Sequence, residues 1–255
     1  MKWVYLSPHL DDVALSCGGL VWEQSQVGYQ VTVLTICAGD PPDVPLSTFA
    51  KSLHDRWQTG VEAIVERRRE DLVSCQEMRA TAIHLSIPDC IYRRSEYEGK
   101  PICDSEESLT EPSHHDEGDL IWRLGKELRQ LIPPDGEVVC PLTLGGHVDH
   151  VLTRRAVEGL DRDLWFYADY PYVGKESSSI QRLIGEDWTS KVFPVSSMGL
   201  DAWGRAVAAH ASQISTFWSD SGAMRNALFE YYHQEMGVRL WRKSKKIKIE
   251  LVSCV

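Results

Sequence analysis

The order of secondary structure is set by residues 3–37, which read WVYLSPHLDDVALSCGGLVWEQSQVGYQVTVLTIC. Residues 3–7 are apolar and β-prone. Residues 13–27 carry apolar side chains at helical spacing, and Gly28 ends the predicted helix. Residues 29–37 form a nearly continuous apolar run. Two largely buried strands joined by a helix are typical of a βαβ unit in a parallel sheet.

The rest of the chain continues to alternate between helices and strands. The pattern predicts these further elements: helices over 52–79, 120–131, 149–160 and 202–218, and strands over 83–87, 137–142 and 165–167. The polar residues 93–118, which include His114-His115-Asp116, are interpreted as an inserted surface loop. We therefore predict an α/β fold, a Rossmann-like three-layer αβα sandwich with a mostly parallel sheet, in a single domain over residues 1–255.

The charge balance argues against a nucleic-acid partner. The chain has 27 Lys and Arg against 37 Asp and Glu, which gives a net charge of −10, whereas a phosphate backbone binds clustered positive charge. The basic run 239–248 is interleaved with apolar residues. This favours a surface edge strand over a patch that binds anionic ligands.

The cysteines and the lengths of the apolar runs bear on the cellular location of the protein. No apolar run reaches the length of a membrane span, and no signal peptide precedes the first strand. The seven cysteines are scattered and form no C-x-x-C pair, which is typical of reduced thiols. We therefore expect a cytoplasmic protein without a membrane span, and the oligomeric state, including a homo-oligomer, stays open. Any bound metal must be held by histidines and carboxylates.

The first polar cluster is Pro8-His9-Leu10-Asp11-Asp12, where the first strand passes into the first helix. Ligands of open α/β sheets bind beyond the carboxyl ends of the strands, so a site is expected at this turn. His9 and Asp12 can converge on one point, and both side chains are good zinc ligands. Asp11 would lie beside the metal and accept a proton from a bound water. The alternative is that Asp11 and Asp12 only cap the helix.

The second polar cluster, His147-Val148-Asp149-His150, also follows an apolar strand and opens a helix. His147 and His150 share one face of the first turn, so that one can ligate a metal while the other donates a proton nearby. Asp149 can hydrogen-bond an imidazole and fix its tautomer. The alternative is a capped helix start with exposed histidines. Two histidines and one aspartate leave an open position for water, as in catalytic zinc sites.

The two clusters resemble the signature motifs of the LmbE-like/PIG-L family of zinc-dependent N-acetylglucosaminyl deacetylases. The resemblance covers roughly residues 3–170. It includes Arg67-Arg68-Arg69-Glu70, which matches the R-x-x-E helix of the family, and Pro88-Asp89, which matches its strand-ending pair. Tyr170-Pro171-Tyr172 and Ser212-Gln213 look like elements of one branch, whose members act on sugars of glycosylated small molecules or cell-surface glycans.

The resemblance implies a role for each site residue. It implies a Zn²⁺ cofactor with three ligands: His9, Asp12 and His150. Asp11 would be the general base, and His147 the electrostatic or acid partner. Asp149 would orient a histidine, while Arg67 and Asp89 would contact the sugar. One position departs from the pattern, because Gly145 stands where some members have a tyrosine that helps to hold the oxyanion.

The implied function is hydrolysis of the N-acetyl group of an N-acetylglucosamine-type sugar or glycoconjugate, so that the partner is a small-molecule amino-sugar substrate. An alternative is a metallohydrolase that acts on another N-acyl or carbamoyl substrate. A nucleotide-binding module is disfavoured, because Ser16-Cys17-Gly18-Gly19 is not G-x-G-x-x-G and lies inside the predicted first helix. A metal-binding protein without turnover is disfavoured by Asp11, since a pure binding site needs no free carboxylate beside the water.

Overall fold

The computed structural model describes residues 1–95, 99–110, 117–175 and 177–244. Seven strands lie in these ranges: β1 (Lys2–Ser7), β2 (Gln30–Thr35), β3 (Thr81–His84), β4 (Glu137–Pro141), β5 (Trp165–Tyr167), β6 (Trp188–Pro194) and β7 (Gly237–Lys243). They form one sheet, in which neighbouring strands follow the order β3-β2-β1-β4-β5-β7-β6. Strands β1 to β5 run parallel, and β7 is antiparallel to both β5 and β6. The predicted mostly parallel sheet is confirmed.

The predicted edge position of the basic run is wrong for its described part. β7 has β5 on one side and β6 on the other, so β6 forms the edge of the sheet. The pairing of β6 with β7 was not predicted from the sequence, because most side chains of β6 are exposed and it lacks an alternating apolar pattern. A strand without this signal covers the side of β7 that was expected to face solvent.

Ten helices lie in the described ranges: α1 (Asp12–Gln26), α2 (Thr48–Trp57), α3 (Ala63–Glu77), α4 (Gly118–Leu131), α5 (Val148–Glu158), α6 (Tyr172–Lys175), α7 (Ser177–Leu183), α8 (Ser197–Ala209), α9 (Ala211–Phe217) and α10 (Ser221–His233). Short 3₁₀ turns occur at Gly60–Glu62 and Glu107–Leu109. None of the helices in these ranges has both the length and the apolar character that a membrane crossing requires.

Two segments that were predicted as single helices are each divided in two. The first breaks after α2, where Gln58 and Gly60 adopt positive φ angles of 56° and 57°, before α3 begins at Ala63. The second breaks at His210, whose φ of −82° and ψ of 57° are not helical. Neither break contains a proline, so the sequence pattern ran through both of them.

Alternate side chains of the sheet pack against helices on its two faces. On one face, Trp3 and Tyr5 belong to the apolar cluster that includes buried residues of α1, α3 and α8. On the other face, Val4 and Leu6 belong to the cluster that includes buried residues of α4 and α5. Since burial of apolar area is the main favourable term in folding, these clusters fix the layers. The predicted three-layer αβα sandwich is confirmed.

The glycine pair of α1 has a packing role. The indole of Trp203 in α8 is fully buried and donates its Nε1–H to the carbonyl oxygen of Ala14 at 2.7 Å. A Cβ atom added to Gly18 would lie 2.6 Å from Cδ1 of this indole, and one added to Gly19 would lie 2.8 Å from Cε3. The two glycines therefore allow α1 and α8 to pack closely, as expected for glycines inside a helix and not in a phosphate-binding loop.

The segment predicted as a surface insertion is described at 93–95, 99–110 and 117–118. Ile102 and Cys103 are buried in a third apolar cluster, together with Trp57 of α2. Arg93 and Glu117, close to the two ends of the segment, form a buried ion pair with an N–O distance of 2.6 Å. Its status as an insertion stays a prediction, and His114-His115-Asp116 lies outside the described residues.

The order of the strands creates a crevice at the carboxyl ends of β1 and β4. From β1 the chain adds β2 and β3 on one side and then crosses to add β4 and β5 on the other, so that β1 and β4 are neighbours across a topological switch. Ligands of such sheets bind at this switch. Residues 8–12 follow β1 and residues 147–150 follow β4, so the two polar clusters meet there.

Candidate active site

The fold brings one histidine and one aspartate of the first cluster together with one histidine of the second. The Nδ1 atom of His9 lies 3.2 Å from Oδ2 of Asp12, and Nε2 of His150 lies 3.4 Å from Oδ1 of the same carboxylate. Ligands at 2.0–2.2 Å from a tetrahedral metal are roughly 3.3–3.6 Å apart. The two distances, each to a different oxygen of Asp12, are thus close to the spacing of neighbouring ligands of a metal ion.

The turn after β1 is held by its own polar groups. The Ser7 hydroxyl donates to the carbonyl oxygen of His9 at 2.6 Å and accepts the N–H of Val13 at 3.2 Å. The Asp12 carboxylate accepts the backbone N–H of His9 at 2.8 Å. Asp11 occupies the N-cap position of α1, but its side chain makes no capping hydrogen bond. The capping alternative therefore does not account for Asp11.

The start of α5 holds the second cluster. The Nδ1 atom of His147, at the N-cap position, accepts the backbone N–H of Asp149 at 3.2 Å. In the neutral ring the proton is consequently on Nε2. The ring centroids of His9 and His147 are 4.7 Å apart. His150 is buried, so the alternative of two exposed histidines does not hold for it.

Each of the two buried histidines has a carboxylate on its far side. Oδ2 of Asp149 lies 3.0 Å from Nε2 of His9, and Oδ1 of Asp169 lies 2.6 Å from Nδ1 of His150. The remaining ring nitrogens face Asp12. Carboxylates behind metal-binding histidines fix the ring orientation in this way. Asp169 was missed by the sequence analysis, although an acidic residue just beyond the end of β5 was a usable signal.

The crevice concentrates negative charge. Five aspartates are buried in and around it: Asp11, Asp12, Asp89, Asp149 and Asp169. Burial lowers the pKa of both His9 and His150, but the surrounding carboxylates outweigh it. They raise the pKa of His9 well above its usual range and that of His150 to about 10. An environment that favours protonated imidazoles is one that favours a cation at their nitrogens.

Three other sets of donors lie close together. Among the described residues, these sets have ligand atoms within 4.8 Å of one another: His9, His147 and His150; Cys90, His147 and Asp149; and His9, Asp89 and Asp149. The first of them shares His9 and His150 with the Asp12 set and has His147 in place of Asp12. Burial and, to a smaller extent, the charge of His9 lower the pKa of His147 to about 3, so His147 is neutral around pH 7.

Asp11 lies beside the donor atoms with its carboxylate turned towards Arg67. Burial and the adjacent Asp12 raise the pKa of Asp11 to about 6, against the lowering effect of Arg67. Nη2 of Arg67 is 3.8 Å from Oδ1 of Asp11, and Nη1 is 3.9 Å from Oδ2 of Asp89. The guanidinium also lies 4.8 Å from the ring centroid of Trp57. Arg67 therefore supplies positive charge next to the proposed general base.

The two arginines that follow Arg67 in α3 point away from the crevice. Arg68 donates to the carbonyl oxygen of Ala38 at 2.9 Å and to Asp40, and Arg69 is exposed and pairs with Glu66. One turn further along α3, Glu70 accepts hydrogen bonds from the N–H and the hydroxyl of Ser212. The R-x-x-E pattern thus places one residue in the pocket, and the other against the start of α9.

The crevice opens into a small pocket of about 130 Å³. Its apolar wall includes these side chains: Leu53, Trp57, Ile91, Leu109, Tyr172 and Phe217. Asp89 and Gln213 add polar groups to the lining. Gly145 has a φ angle of 82°, and a Cβ atom built on it would lie 3.2 Å from Cδ1 of Tyr172. The space beside Gly145 is therefore filled by the ring of Tyr172.

Comparison with known proteins places this chain in a family. The model of the PIG-L family, described as GlcNAc-PI de-N-acetylase, matches residues 4–160. A 2'-N-acetylparomamine deacetylase of Streptomyces fradiae is 29% identical over 195 residues, which is 72% of this chain and 63% of that protein. The protein of the same name from Niallia circulans is 26% identical over 196 residues, which is 70% of each. The chain thus spans less than two thirds of the Streptomyces relative.

A solved structure shares the fold over nearly the whole chain. The zinc-inhibited form of teicoplanin deacetylase Orf2 superposes with a TM-score of 0.84, covers 96% of this chain and 100% of its own, and is 24% identical. At this identity the likeness supports the architecture alone. The family model covers both polar clusters and more than half of the chain. The chain belongs to the PIG-L family.

Proposed function

We propose that the protein is a zinc-dependent N-deacetylase, which hydrolyses the N-acetyl group of an N-acetylglucosamine-type sugar or glycoconjugate. The observation that carries this proposal is the convergence of His9, Asp12 and His150, with the carboxylate of Asp11 beside them, where it makes no capping hydrogen bond and lies 3.8 Å from Arg67. The names of relatives support the substrate class, since two are 2'-N-acetylparomamine deacetylases and one structural neighbour is a teicoplanin deacetylase.

His9, Asp12 and His150 are the residues that would hold the zinc ion. A zinc ion in such a site lowers the pKa of water to about 7 and polarises the amide carbonyl. Asp11, as a carboxylate near neutral pH, accepts the proton of the attacking water. Asp11 then carries a proton that it can return to the leaving amine. The net reaction consumes one water and yields acetate and the free amino sugar.

His147 supports the reaction as a hydrogen-bond donor. Its Nδ1 is engaged by the N–H of Asp149, so the neutral ring presents Nε2–H to the pocket. A fixed donor aimed at the amide oxygen stabilises the charge that develops there during attack. Of the two roles that the sequence left open for His147, the electrostatic one is favoured, because burial keeps the ring from carrying a transferable proton.

The pocket suits a small amphipathic ring. Ligand sites combine apolar walls with a few placed polar groups. Trp57 and Phe217 offer apolar surface, while Asp89 and Gln213 offer hydrogen-bond partners for hydroxyl groups. The proposal includes a cytoplasmic location, because the six cysteines of the described residues are free thiols, as in a reducing compartment.

The proposal is tested by a mass-spectrometric screen of zinc-loaded protein. N-acetylglucosamine, 2'-N-acetylparomamine and N-acetylated glycopeptides are incubated with the protein, and the loss of an acetyl group and the release of acetate are measured. Metal-free protein and Asp11→Asn serve as controls. Release of acetate from an amino sugar is expected. Release of a larger acyl or a carbamoyl group instead would favour the alternative metallohydrolase, and no hydrolysis of any amide would contradict both.

Asp89→Ala is expected to lower kcat/KM for an N-acetylated sugar and to retain the metal. The loss should correspond to about 1–3 kcal/mol of activation free energy. The reason is that Asp89 lines the pocket and can accept hydrogen bonds from sugar hydroxyls. Arg67→Ala should cost a similar amount, and it should also slow a simple acetamide, because Arg67 lies 3.8 Å from Asp11.

The measurement compares kcat/KM for the sugar with kcat/KM for acetamide in each variant. Arg69→Ala is the matched control, since Arg69 is exposed on the same helix and pairs only with Glu66 among the described residues. Equal losses on both substrates in Asp89→Ala would show that Asp89 has a structural role and would remove it from sugar binding.

A further inference from the structure

A buried arginine outside both polar clusters contacts the metal-site carboxylate Asp149. Arg93 has a side chain that is 7% exposed, and its Nη1 lies 2.6 Å from Oδ1 of Asp149, which is fully buried. This is an ion-pair contact and not an aligned hydrogen bond. Nη1 also donates to the carbonyl oxygen of Pro88 at 2.9 Å. Arg93 therefore lies between Pro88 and the start of α5.

The position of Arg93 is fixed in turn by Glu117. Nε of Arg93 donates to Oε1 of Glu117 at 2.6 Å, and both side chains are buried. Glu117 precedes α4, so the pair joins the two ends of the segment that was predicted as an insertion. Removal of one partner of such a buried ion pair strongly destabilises a protein, because the other partner is left as an uncompensated buried charge.

Asp149 connects the Arg93–Glu117 pair to His9. Its second oxygen, Oδ2, lies 3.0 Å from Nε2 of His9 and accepts the backbone N–H of Cys90 at 3.0 Å. The other ring nitrogen of His9 is the atom that faces Asp12. The orientation of the His9 ring thus depends on where the Asp149 carboxylate is held.

We infer that Arg93 is a positioning residue of the metal centre, which acts on His9 through Asp149 and is itself held by Glu117. The inference rests on the proposed function, because it requires a metal at His9, Asp12 and His150. It also connects Arg93 and Glu117, two described residues of the predicted insertion 93–118, to the geometry of the site. Mutation of a residue that helps to orient a metal-binding histidine typically lowers metal affinity by about 10–100-fold.

The experiment uses Co²⁺ as the probe, since its visible spectrum reports the coordination geometry without any substrate. Cobalt affinity by chelator competition and the absorption spectrum are measured for the full chain and for Arg93→Met, Arg93→Lys and Glu117→Gln. Arg93→Met should bind cobalt about 10–100-fold more weakly and with an altered spectrum. Arg93→Lys should recover part of the affinity, and Glu117→Gln should show a smaller loss. The matched control is Arg94→Met, because Arg94 is exposed and donates to the carbonyl oxygens of Gly99 and Pro45.

The melting temperature of the metal-free proteins separates positioning from general stability. Should Arg93→Met fail to fold, Glu117→Gln and Arg93→Lys carry the test. Both variants keep a positively charged residue at position 93, next to Asp149. Wild-type affinity and spectrum in every folded variant would overturn the inference, even if the melting temperature fell. A wild-type protein that bound no cobalt or zinc would overturn the proposed function as well. If the wild-type protein bound the metal and every folded variant had the same affinity and spectrum, only the role of Arg93 would be overturned.

Discussion

Asp11→Asn is expected to retain the metal and to lose most of the hydrolytic rate, by about 10²–10⁴-fold. The Asp11 carboxylate is buried, makes no capping hydrogen bond, and has its pKa raised by burial to about 6. These properties suit a group that takes a proton from water and then returns it. Asparagine has nearly the same shape but cannot accept the proton, so that binding should survive and turnover should not.

Asp12→Asn is the matched comparison, since it makes the same chemical change at the neighbouring residue. The Asp12 carboxylate lies between Nδ1 of His9 and Nε2 of His150. We expect this variant to lose metal first and activity as a consequence. Metal content after dialysis and kcat at saturating zinc are measured for both variants. If Asp11→Asn lost the metal and Asp12→Asn kept it, the roles of the two aspartates would have to be exchanged.

The parts of the fold that were predicted correctly have strong local signals. β1, α1 and β2 were found from continuous apolar runs and helical spacing in residues 3–37. The meeting of the two polar clusters followed from a general rule, because parallel strands place their carboxyl ends at the same edge of the sheet. Arg67 was singled out by its match to the R-x-x-E helix of the family, whereas the spacing of about 100° between consecutive helical side chains indicates only that one or two of the three arginines can face a pocket.

The parts that were missed depend on contacts between distant residues. The edge position of β6 depends on its pairing with β7, which no local pattern reveals. The breaks at Gln58 and His210 lack proline, so helical spacing continues through them. Asp169 and Arg93 belong to no motif, and they reach the site only because β5 and the segment after Asp89 fold against α5.

His150→Ala is expected to abolish stable metal binding, since His150 belongs both to the set with His9 and Asp12 and to the set with His9 and His147. The side chain is 2% exposed, with Nδ1 at 2.6 Å from Asp169 and Nε2 turned towards Asp12. The alanine variant removes a donor and leaves two carboxylates facing an empty space. Its loss of affinity should exceed the roughly 10–100-fold expected for Asp169→Asn, which removes only the partner that orients the ring.

His147→Ala decides between the two donor sets when it is measured beside His150→Ala. If Asp12 is the third donor, His147→Ala should retain about one zinc per chain and should lose rate by roughly 10²–10³-fold, as for removal of an oxyanion donor. If His147 is the third donor, the metal should be lost with it and Asp12→Asn should keep it. The 3.2 Å and 3.4 Å distances from Asp12 to His9 and His150 favour the first outcome. The engagement of His147 Nδ1 by the N–H of Asp149 favours it too, because only Nε2 of that ring is then free, and in the neutral tautomer it carries the proton. Zinc content by elemental analysis of the two alanine variants gives the answer without any knowledge of the substrate.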